Sequence, residues 1–474
     1  MPSPQRGGPE RGTICLVRHF WCRTALQTKK MQLTLLEILE ATGGGQIGGT
    51  MVGDAFRAFH TDSREVVSGG VFFALKGAEM DGHVFVEDAI DRGAAALVVE
   101  RGMGRIPGIV QVLVPDTWAA LYALAAFVRD RVKPLVVAVT GSNGKTSTKE
   151  MVAAILARKY NVLRTARNLN TETGVPLTML SLEKEHTALV LEMGMQHSGD
   201  ISRLVALAQP SIGIITNVGT VHMEFFDSHD DLVRAKGELV AGLPESGYAV
   251  LNADDPAYGL LAGMTAARVT SFGFEDGDYR AERYHVLPDS GCAFTVRGTD
   301  VRLAVEGRHQ ALNALAALAA SDAAGVEFEA AADALSEVII DRRLQEVRAP
   351  EGFVVVDDSY NASPESMLAA FEAMSDRPRE GRLLAVLGRM GELGALAEEW
   401  HRRVGRRAAE VFDAICVVDS AEGRILAEAA GAHVVPDRAA AGEWVREVAH
   451  EGDRVLIKAS HSLRLDQLVD ELTK

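Results

Sequence analysis

The sequence predicts an α/β protein built of three domains. The chain is 474 residues long, and one domain is expected for roughly every 150 residues. Short runs of valine, isoleucine and leucine recur along it and are separated by segments with helical periodicity. Such near-continuous apolar strands are typical of parallel sheets that helices cover on both faces. The hydrophobic content of 47% and the charged content of 24% are those of an ordinary globular protein.

The first element in chain order is an unusual extension, residues 1–30. It carries six basic residues against a single acidic one, Glu10. A targeting peptide is one interpretation, because such segments are rich in arginine and poor in acids. A start codon assigned too early, or a disordered tail, is favoured because the segment lacks the continuous apolar core of a secretory signal. An amphipathic segment then begins at Met31, so we place the extension outside the fold.

Three modules follow this extension. Residues 31–133 alternate short apolar runs with small helical stretches and are predicted to form a compact α/β unit. The stretch RDRVKP (129–134) is predicted to be a linker, because its proline disfavours helix at the residue before it. Residues 134–341 contain a series of apolar strands and an Ala/Leu-rich helix, and residues 342–474 repeat the strand–helix alternation.

Charge and cysteine content limit the possible partners and location. The formal net charge of −16 argues against a general affinity for nucleic acid or for an anionic membrane. We find no apolar run of about 18 residues, so no membrane span is expected. The cysteines show no metal-ligand spacing and no dense disulfide pattern, which fits a reducing compartment. We expect a monomeric cytoplasmic protein. The four cysteines are Cys15, Cys22, Cys292 and Cys416.

Several predicted strands end in residues that can do chemistry. In open α/β sheets, ligands bind beyond the carboxyl ends of the strands. Any one of these positions is explained by a strand that ends where a polar loop begins. The whole set, together with the glycine-rich loop described next, predicts a ligand site at that edge. The positions are Thr140, Glu192, Asn217, Asn252, Asp357 and Lys458.

The segment AVTGSNGKTS (138–147) is the most specific feature of the chain. It follows an apolar strand and precedes a predicted helix, as phosphate-cradling loops do. Its first glycine comes too early for the common spacing G-x-x-x-x-G-K-[ST]. A plain glycine turn would explain the glycines, but not a lysine for β/γ-phosphate oxygens followed by a hydroxyl for Mg²⁺. We therefore predict a nucleotide site formed by Thr140, Gly141, Ser142, Asn143, Gly144, Lys145, Thr146 and Ser147.

Further ligands for the magnesium ion are sought near other strand ends, because one protein hydroxyl does not hold this ion alone. Glu192 ends an apolar strand, where burial of a carboxylate is costly without a cation partner. His222 follows another strand end, although a single histidine there is more simply a hydrogen-bonded loop residue.

A series of segments gives this chain a family resemblance. In order, they are TGSNGKTSTKEM, NLNTETGVPLTML, LEMGMQHSGDI, NVGTVHMEFFDS, RAKGEL, LNADDP, GRHQALNALAALAA and DDSYNASPESM. From about Met31 to its end the chain resembles the Mur ligases, ATP-dependent amide-bond formers of bacterial cell-wall synthesis. The early first glycine is a trait of that family. TDSREVVSGGVFFALKGAEMDGH resembles a UDP-binding segment, while DDSYNASPESM and VLGRMGELG resemble members that add D-alanyl-D-alanine.

The resemblance implies a domain order and a reaction. Residues 31–133 would be a small N-terminal UDP-binding module, residues 134–341 a central P-loop-type ATPase domain and residues 342–474 a Rossmann-like domain. The carboxylate of a UDP-N-acetylmuramoyl-tripeptide would attack the γ-phosphate of ATP, and the amine of D-alanyl-D-alanine would displace phosphate from the acyl phosphate. ATP and two Mg²⁺ ions are implied. The alternatives are a Mur-type ligase that adds a different amino acid, and a nucleotide-binding homologue without turnover.

The resemblance also implies roles for individual residues. Lys145 would bind the β/γ-phosphates, Thr146 and Glu192 a first Mg²⁺, and His222 a second one. Lys236, which the sequence alone would place on a helix surface, would carry a carbamate derived from CO₂ and act at the metal site. Arg343 would reach the γ-phosphate and complete the catalytic set. Other ATP contacts implied are Asn252, His309, Asn313 and Asp357, and substrate contacts are Ser63, Arg64, Asn170, Thr171 and Lys458.

Three positions depart from the family pattern. Arg342 stands where a glycine usually precedes the interdomain arginine, Arg389 where aspartate is common, and His461 where arginine is more usual. The first departure bears on the hinge, and the other two bear on the contacts with D-alanyl-D-alanine rather than on the ATP chemistry.

Overall fold

The computed structural model describes residues 31–48, 55–77, 79–166, 168–287, 291–340, 342–377 and 381–474. The predicted extension, with Cys15 and Cys22, lies outside the described residues. The predicted α/β fold with parallel sheets is confirmed, since the described chain forms three bodies, each around its own sheet. No helix in these ranges is long and apolar enough to cross a membrane.

The N-terminal body is a five-stranded sheet in the order β2-β7-β6-β5-β4, with β2 antiparallel at one edge. A two-stranded antiparallel ladder joins β1 to β3. The strands are β1 Leu33–Thr34, β2 Gly45–Ile47, β3 Ala55–Phe56, β4 Phe59–His60, β5 Val71–Phe73, β6 Ala96–Val99 and β7 Val110–Leu113. The helices are α1 Leu35–Thr42, α2 Val86–Asp91 and α3 Thr117–Val132.

The join between the first two bodies corrects the predicted linker. Helix α3 continues to Val132, so residues 129–132 form its last turn and only Lys133 and Pro134 connect it to the next strand. The Arg129 side chain is almost fully buried, and its guanidinium donates to the carbonyl of Leu207 in the central body. The helix is therefore fixed to its neighbour, which the linker prediction did not anticipate.

The central body is a seven-stranded, all-parallel sheet in the order β14-β13-β12-β11-β8-β10-β9. A three-stranded antiparallel sheet, β15-β16-β17, is attached to it. The strands are β8 Leu135–Thr140, β9 Val162–Arg164, β10 Ala188–Glu192, β11 Ile212–Ile215, β12 Tyr248–Asn252, β13 Arg268–Gly273, β14 Tyr279–Arg280, β15 Glu282–Val286, β16 Cys292–Val296 and β17 Thr299–Leu303. The helices are α4 Lys145–Leu156, α5 Gly174–Leu180, α6 Asp200–Ala208, α7 His229–Ala241, α8 Tyr258–Ala262, α9 Arg308–Ala323 and α10 Phe328–Ser336.

Helix α9 is the predicted Ala/Leu-rich helix, and it is buried on nearly every side. It packs on α4 and on strands β12 and β13, where small alanine side chains allow close approach. The Ala/Leu composition thus reflects an interior position, and it places the start of α9 behind the glycine loop.

The C-terminal body is a six-stranded sheet in the order β18-β19-β23-β20-β21-β22, parallel except for the edge strand β18. Its buried strands contain Cys416, a free thiol like Cys292 in the central body. The strands are β18 Gln345–Arg348, β19 Val354–Asp357, β20 Leu383–Leu387, β21 Ala414–Val418, β22 His433–Val435 and β23 Arg454–Lys458. The helices are α11 Pro364–Ser375, α12 Ala397–Val411, α13 Ala421–Ala430, α14 Arg438–Val448 and α15 Leu465–Leu472.

Candidate active site

A cavity of about 640 Å³ lies where the carboxyl ends of the central strands meet the C-terminal body. The glycine loop, the Asn170 segment and the residues after β10 and β11 form its central-domain wall. Arg343, Tyr360 and Glu392 contribute to the wall from the C-terminal body. Ligand sites at this edge of a parallel sheet are the rule, and the sequence predicted one here.

The glycine loop is shaped by close contacts behind it. Gly141 has φ 144° and Gly144 has φ 82°, values that L side chains rarely adopt. A Cβ on Gly141 would collide with Oγ1 of Thr216, and one on Gly144 would collide with Oδ1 of Asn313. These two positions therefore require glycine. For Gly141, the early first glycine of the loop, the reason is its close packing against Thr216.

Hydrogen bonds hold the loop in place from the neighbouring strand end. The backbone amides of Ser142 and Asn143 donate to the carbonyl oxygen and to Oδ1 of Asn217, at 2.9 and 3.0 Å. Thr140 donates its hydroxyl to the carbonyl of Met193 at 2.8 Å. The Thr140 and Asn217 side chains thus support the loop.

The Lys145 ammonium folds back over the loop. Its Nζ donates to the carbonyls of Gly141 and Ser142 at 2.8 and 3.1 Å. Burial lowers the pKa of Lys145, while the Glu192 carboxylate acts in the opposite direction. The Lys145 ammonium is therefore suited to bind an anionic ligand, because phosphate oxygens are stronger hydrogen-bond acceptors for a cation than the loop carbonyls are.

Glu192 is almost fully buried and fully engaged. Its carboxylate accepts from the hydroxyl of Thr146 at 3.0 Å and from Nδ2 of Asn170 at 2.8 Å. The Lys149 ammonium lies 3.8 Å away. This set brings Thr146, Asn170 and Glu192 together.

The oxygen donors at the glycine loop fit a magnesium ion that is held partly by the protein and partly by the phosphates of a nucleotide. No group of three His, Cys, Asp or Glu side chains in the described ranges could hold a metal by itself. The hydroxyl of Thr146 and the carboxylate of Glu192 offer two oxygen donors side by side. Mg²⁺ in nucleotide sites is commonly held by one or two such groups together with phosphate oxygens and water.

His222 lies on the cavity wall in a strained backbone conformation. Its φ of 74° is in the left-handed region, which is uncommon for a residue other than glycine and is concentrated at functional sites. Its Nδ1 lies 2.5 Å from Oε2 of Glu392 in the C-terminal body. Burial lowers the pKa of His222, while Glu392 acts to raise it.

Lys236 lies inside the fold and not on a helix surface. It belongs to α7, and only 1% of its surface is exposed. Burial, followed by the charge of Lys145, lowers its pKa well below the usual value, while Glu392 partly opposes that shift. It does not line the cavity directly, but the charges of Lys145 and Glu392 act on it.

Several sequence-predicted contacts do not line this cavity. Asn252 and Asn313 are buried and hydrogen-bonded to protein, to the carbonyl of Thr216 and to Gln310, respectively. His309 is surrounded by the charges of Asp358, Lys458 and Arg343, and burial lowers its pKa to about 4. The ATP contacts expected of these residues stay predictions.

Asp357 and Lys458 are also occupied within the protein. Asp357 accepts from the amide and the hydroxyl of Ser359 at 3.0 and 2.5 Å, and burial raises its pKa. Lys458 is paired with Asp358 at 2.6 Å and donates to the carbonyl of Asn361 at 3.0 Å. Asn361 lines the cavity and Lys458 does not, and the substrate contact expected of Lys458 stays a prediction.

Ser63 and Arg64 lie in the N-terminal body, away from the cavity. Ser63 is buried, whereas the Arg64 side chain is 79% exposed and pairs with Asp62 at 2.6 Å. Thr171 lines the cavity beside Asn170 and shares a hydroxyl contact with Thr173.

The departures from the family pattern have different surroundings. Arg342 has φ 55°, the left-handed conformation that glycine favours, and its guanidinium lies 3.6 Å from Asp357 and 3.1 Å from Asp470. Arg389 donates to Ser462 at 3.3 Å, and the His461 ring lies 6.2 Å from that of Tyr360. Arg342 thus combines a left-handed backbone conformation with ion pairs inside the C-terminal body.

Sequence reasoning missed the side chains through which the C-terminal body contacts the loops. Glu365 accepts from the amide and hydroxyl of Thr220, and Ser363 donates to Oδ1 of Asn143 at 2.8 Å. Glu392 approaches His222 as described. The segments DDSYNASPES and GELG contain these residues, but a pattern in one segment does not say which loop of another domain it will meet.

A glycine-rich phosphate loop facing a cavity closed by a second α/β body defines this protein as a phosphate-loop nucleotide enzyme. Sequence models of the Mur ligase middle domain, of the Mur ligase glutamate ligase domain and of the Mur ligase family catalytic domain match residues 139–321, 342–461 and 57–160. The chain belongs to the Mur ligase family.

Individual relatives are similar over nearly the whole chain. The UDP-N-acetylmuramoyl-tripeptide–D-alanyl-D-alanine ligase of Escherichia coli (strain K12) is 35% identical over 93% of this chain and 98% of its own length. The ligase of the same name from Bacillus subtilis (strain 168) is 35% identical over 87% of this chain and 92% of its own length.

Solved structures agree in fold and arrangement. A crystal structure of MurF from Acinetobacter baumannii matches with a TM-score of 0.85 and 31% identity, over 94% of this chain and 99% of that one. The structure of MurF ligase from Thermotoga maritima in complex with ADP matches with a TM-score of 0.79 and 31% identity, over 88% of this chain and 97% of that one.

Proposed function

We propose that this chain joins D-alanyl-D-alanine to UDP-N-acetylmuramoyl-tripeptide at the expense of ATP and releases ADP and phosphate. The product is the UDP-N-acetylmuramoyl-pentapeptide used in peptidoglycan synthesis. The observation that carries this proposal is about 35% identity, over almost the whole chain, to ligases of that name. We further propose domains at 31–133, 134–341 and 342–474, and a monomer that acts in the cytoplasm where ATP is available.

In the first step, the tripeptide carboxylate attacks the γ-phosphate of ATP. Both reactants are anions, so positioning and charge neutralisation are the main tasks. The loop amides and the start of α4 receive the phosphates, and Lys145 moves from the loop carbonyls to the β/γ oxygens. Thr146 and Glu192 would hold Mg²⁺, which would supply positive charge to neutralise the transferred phosphoryl group.

Lys236, as a carbamate, and His222 would hold the second Mg²⁺. The depressed pKa of Lys236 leaves the amine neutral at a lower pH than usual, and the neutral amine is the form that attacks CO₂. The new N–C bond gives a carbamate, with release of a proton, and turns the buried amine into an anionic oxygen donor. His222 presents its ring from the opposite loop, held close to Glu392.

In the second step, the amine of D-alanyl-D-alanine attacks the acyl-phosphate carbonyl, and phosphate leaves from the tetrahedral intermediate. Water must be kept out, because it would hydrolyse the acyl phosphate. The C-terminal body serves this purpose through its contacts with the central loops. Arg343, stacked 4.3 Å above the Tyr360 ring, supplies a cation to the phosphate as the domains close.

Phosphate release from ATP with purified protein and Mg²⁺ tests this function. UDP-N-acetylmuramoyl-tripeptide and D-alanyl-D-alanine are added separately and then together, with lysine or diaminopimelate as the third residue of the tripeptide. Release that requires both, with the pentapeptide identified by mass, is the expected result. Release only with another amino acid would indicate a different Mur-type ligase, and ADP binding without release would indicate an idle homologue.

A further inference from the structure

Three charged side chains of the central domain line the active-site cavity and have no role in the reaction described above. They are Glu172, Asp200 and Arg203, which we name the Arg203 cluster. The Arg203 guanidinium lies 2.6 Å from Oδ1 of Asp200 and 3.7 Å from Oε2 of Glu172. The cluster carries a net charge of about −1 when all three groups are ionised.

One member of the cluster is fixed, and the other two remain open to a ligand. Oδ2 of Asp200 accepts from the backbone amides of Gln196 and His197, at 3.0 and 2.9 Å. The side chains of Glu172 and Arg203 are 54% and 57% exposed. A guanidinium has five donors in a planar fork, so the contact with Asp200 leaves several free for a carboxylate.

The start of helix α6 does not compete for such a ligand. The side chain of Glu238 accepts from the amides of Gly199 and Ser202, at 2.7 and 2.9 Å. These amides are therefore satisfied by the protein, and Arg203 is the group of this helix that can bind an anion in the cavity.

Two members of the cluster are close in sequence to residues of the reaction centre. Glu172 comes two residues after Asn170, which contacts Glu192 at 2.8 Å. Asp200 begins the helix that follows the loop leaving Glu192. Helix α3 of the N-terminal domain packs on α5 and on α6, and α6 carries Asp200 and Arg203. The cluster thus lies between the reaction centre and the N-terminal domain.

This position matters because of the chemistry of the acceptor, and the argument rests on the proposed function. The carboxylate that attacks ATP belongs to the third residue of the peptide arm. The side chain of that residue is therefore bound in the same cavity and ends in an ammonium group on a flexible carbon stem. The arm also carries a free carboxylate, either on its glutamate or at the far end of a diaminopimelate side chain.

We propose that the Arg203 cluster is the subsite for the charged peptide arm of the acceptor. Glu172 receives the side-chain ammonium of the third residue, and Arg203 receives a carboxylate of the arm. Asp200 is a positioning residue, because it holds the guanidinium from a backbone-anchored carboxylate. The two carboxylates of the cluster select against an acceptor whose third residue lacks a side-chain ammonium group.

Binding of three acceptors by calorimetry tests the subsite without turnover. They are UDP-N-acetylmuramoyl-L-alanyl-D-glutamate and the two tripeptides that extend it with lysine or diaminopimelate. The variants are Glu172→Gln and Arg203→Gln, which keep size and remove charge. Arg407→Gln, which removes a similarly exposed arginine from a pair with Glu410 on α12, is the matched control. ADP binding and the unfolding midpoint check that each variant is folded.

Glu172→Gln is expected to weaken both tripeptides about tenfold or more and to leave the shorter acceptor within twofold. Arg203→Gln is expected to weaken the binding of all three acceptors about tenfold if the glutamate of the arm supplies the carboxylate. If the diaminopimelate side chain supplies it, only the binding of the diaminopimelate tripeptide is weakened. Unchanged affinities in both variants, or equal losses in Arg407→Gln, would overturn the subsite. Failure of the proposed function would differ, because the wild-type protein would then form no pentapeptide from either tripeptide.

Discussion

Replacement of Glu365 by alanine provides a direct test of how the C-terminal domain closes the site. Glu365 lies in the first turn of α11, and its Oε1 accepts from the amide and the hydroxyl of Thr220 at 2.8 and 2.9 Å. A Cβ on Gly219 would lie 2.7 Å from the Glu365 carboxyl group, so the loop backbone and the carboxylate are in close contact. This loop continues directly to His222.

The size of the effect follows from these two contacts. A hydrogen bond to a charged group contributes about 1.5–3 kcal/mol. The lower end applies because the Glu365 side chain is only half-buried and its Oε2 has no hydrogen-bond partner in the described ranges. We therefore expect Glu365→Ala to destabilise the closed arrangement by about 2 kcal/mol. That corresponds to a loss of up to roughly 30-fold in the population of the closed state.

The assay is phosphate release at saturating substrates, with ADP affinity measured in parallel. A fall in kcat towards this limit with an unchanged Kd for ADP is expected, because the phosphate loop lies wholly in the central domain. Small-angle scattering would show a larger radius of gyration. Glu372→Ala, at an exposed position on the same helix, is the control. A kcat within twofold of wild type, with unaltered scattering, would refute the reasoning.

Three further predictions concern the loop and two buried titratable groups. Gly144→Ala is expected to abolish ADP binding in calorimetry, because its Cβ would collide with Asn313 at a left-handed φ; retained binding would contradict the packing argument. Removal of CO₂ from the buffer is expected to reduce activity, and addition of ¹³C-bicarbonate is expected to give an NMR signal of a lysine carbamate that grows as pH rises. The Lys236→Met variant should lack this signal, and a signal of equal size in both proteins would exclude Lys236 as the carbamate site. Burial holds the pKa of His309 at about 4, below about 6.5 in the unfolded chain, so the unfolded state binds more protons and the free energy of unfolding falls as pH drops from about 6.5 to about 4. Chemical denaturation of His309→Asn should show a weaker dependence of this free energy on pH, and the same dependence as in the wild type would refute the argument.

Local sequence determined much of this protein. Strand and helix periodicity are set by neighbouring residues, so the parallel sheets and the Ala/Leu-rich helix were predictable. The glycine loop was predictable too, because its amides, lysine and hydroxyl are all supplied within one short segment. That strands end at Thr140, Glu192, Asn252, Asp357 and Lys458 was also evident from the chain.

Only the tertiary structure decided which of those polar residues face the cavity. Glu192 does, whereas Asp357 accepts from the nearby Ser359 and Lys458 pairs with Asp358, which lies 100 residues earlier in the chain. The approach of Glu392 to His222 and the exposure of Arg203 in the cavity depend on how the chain folds and the domains pack. A periodic pattern specifies the face on which a side chain lies, but its partners depend on chain segments that are distant in sequence and meet only on folding.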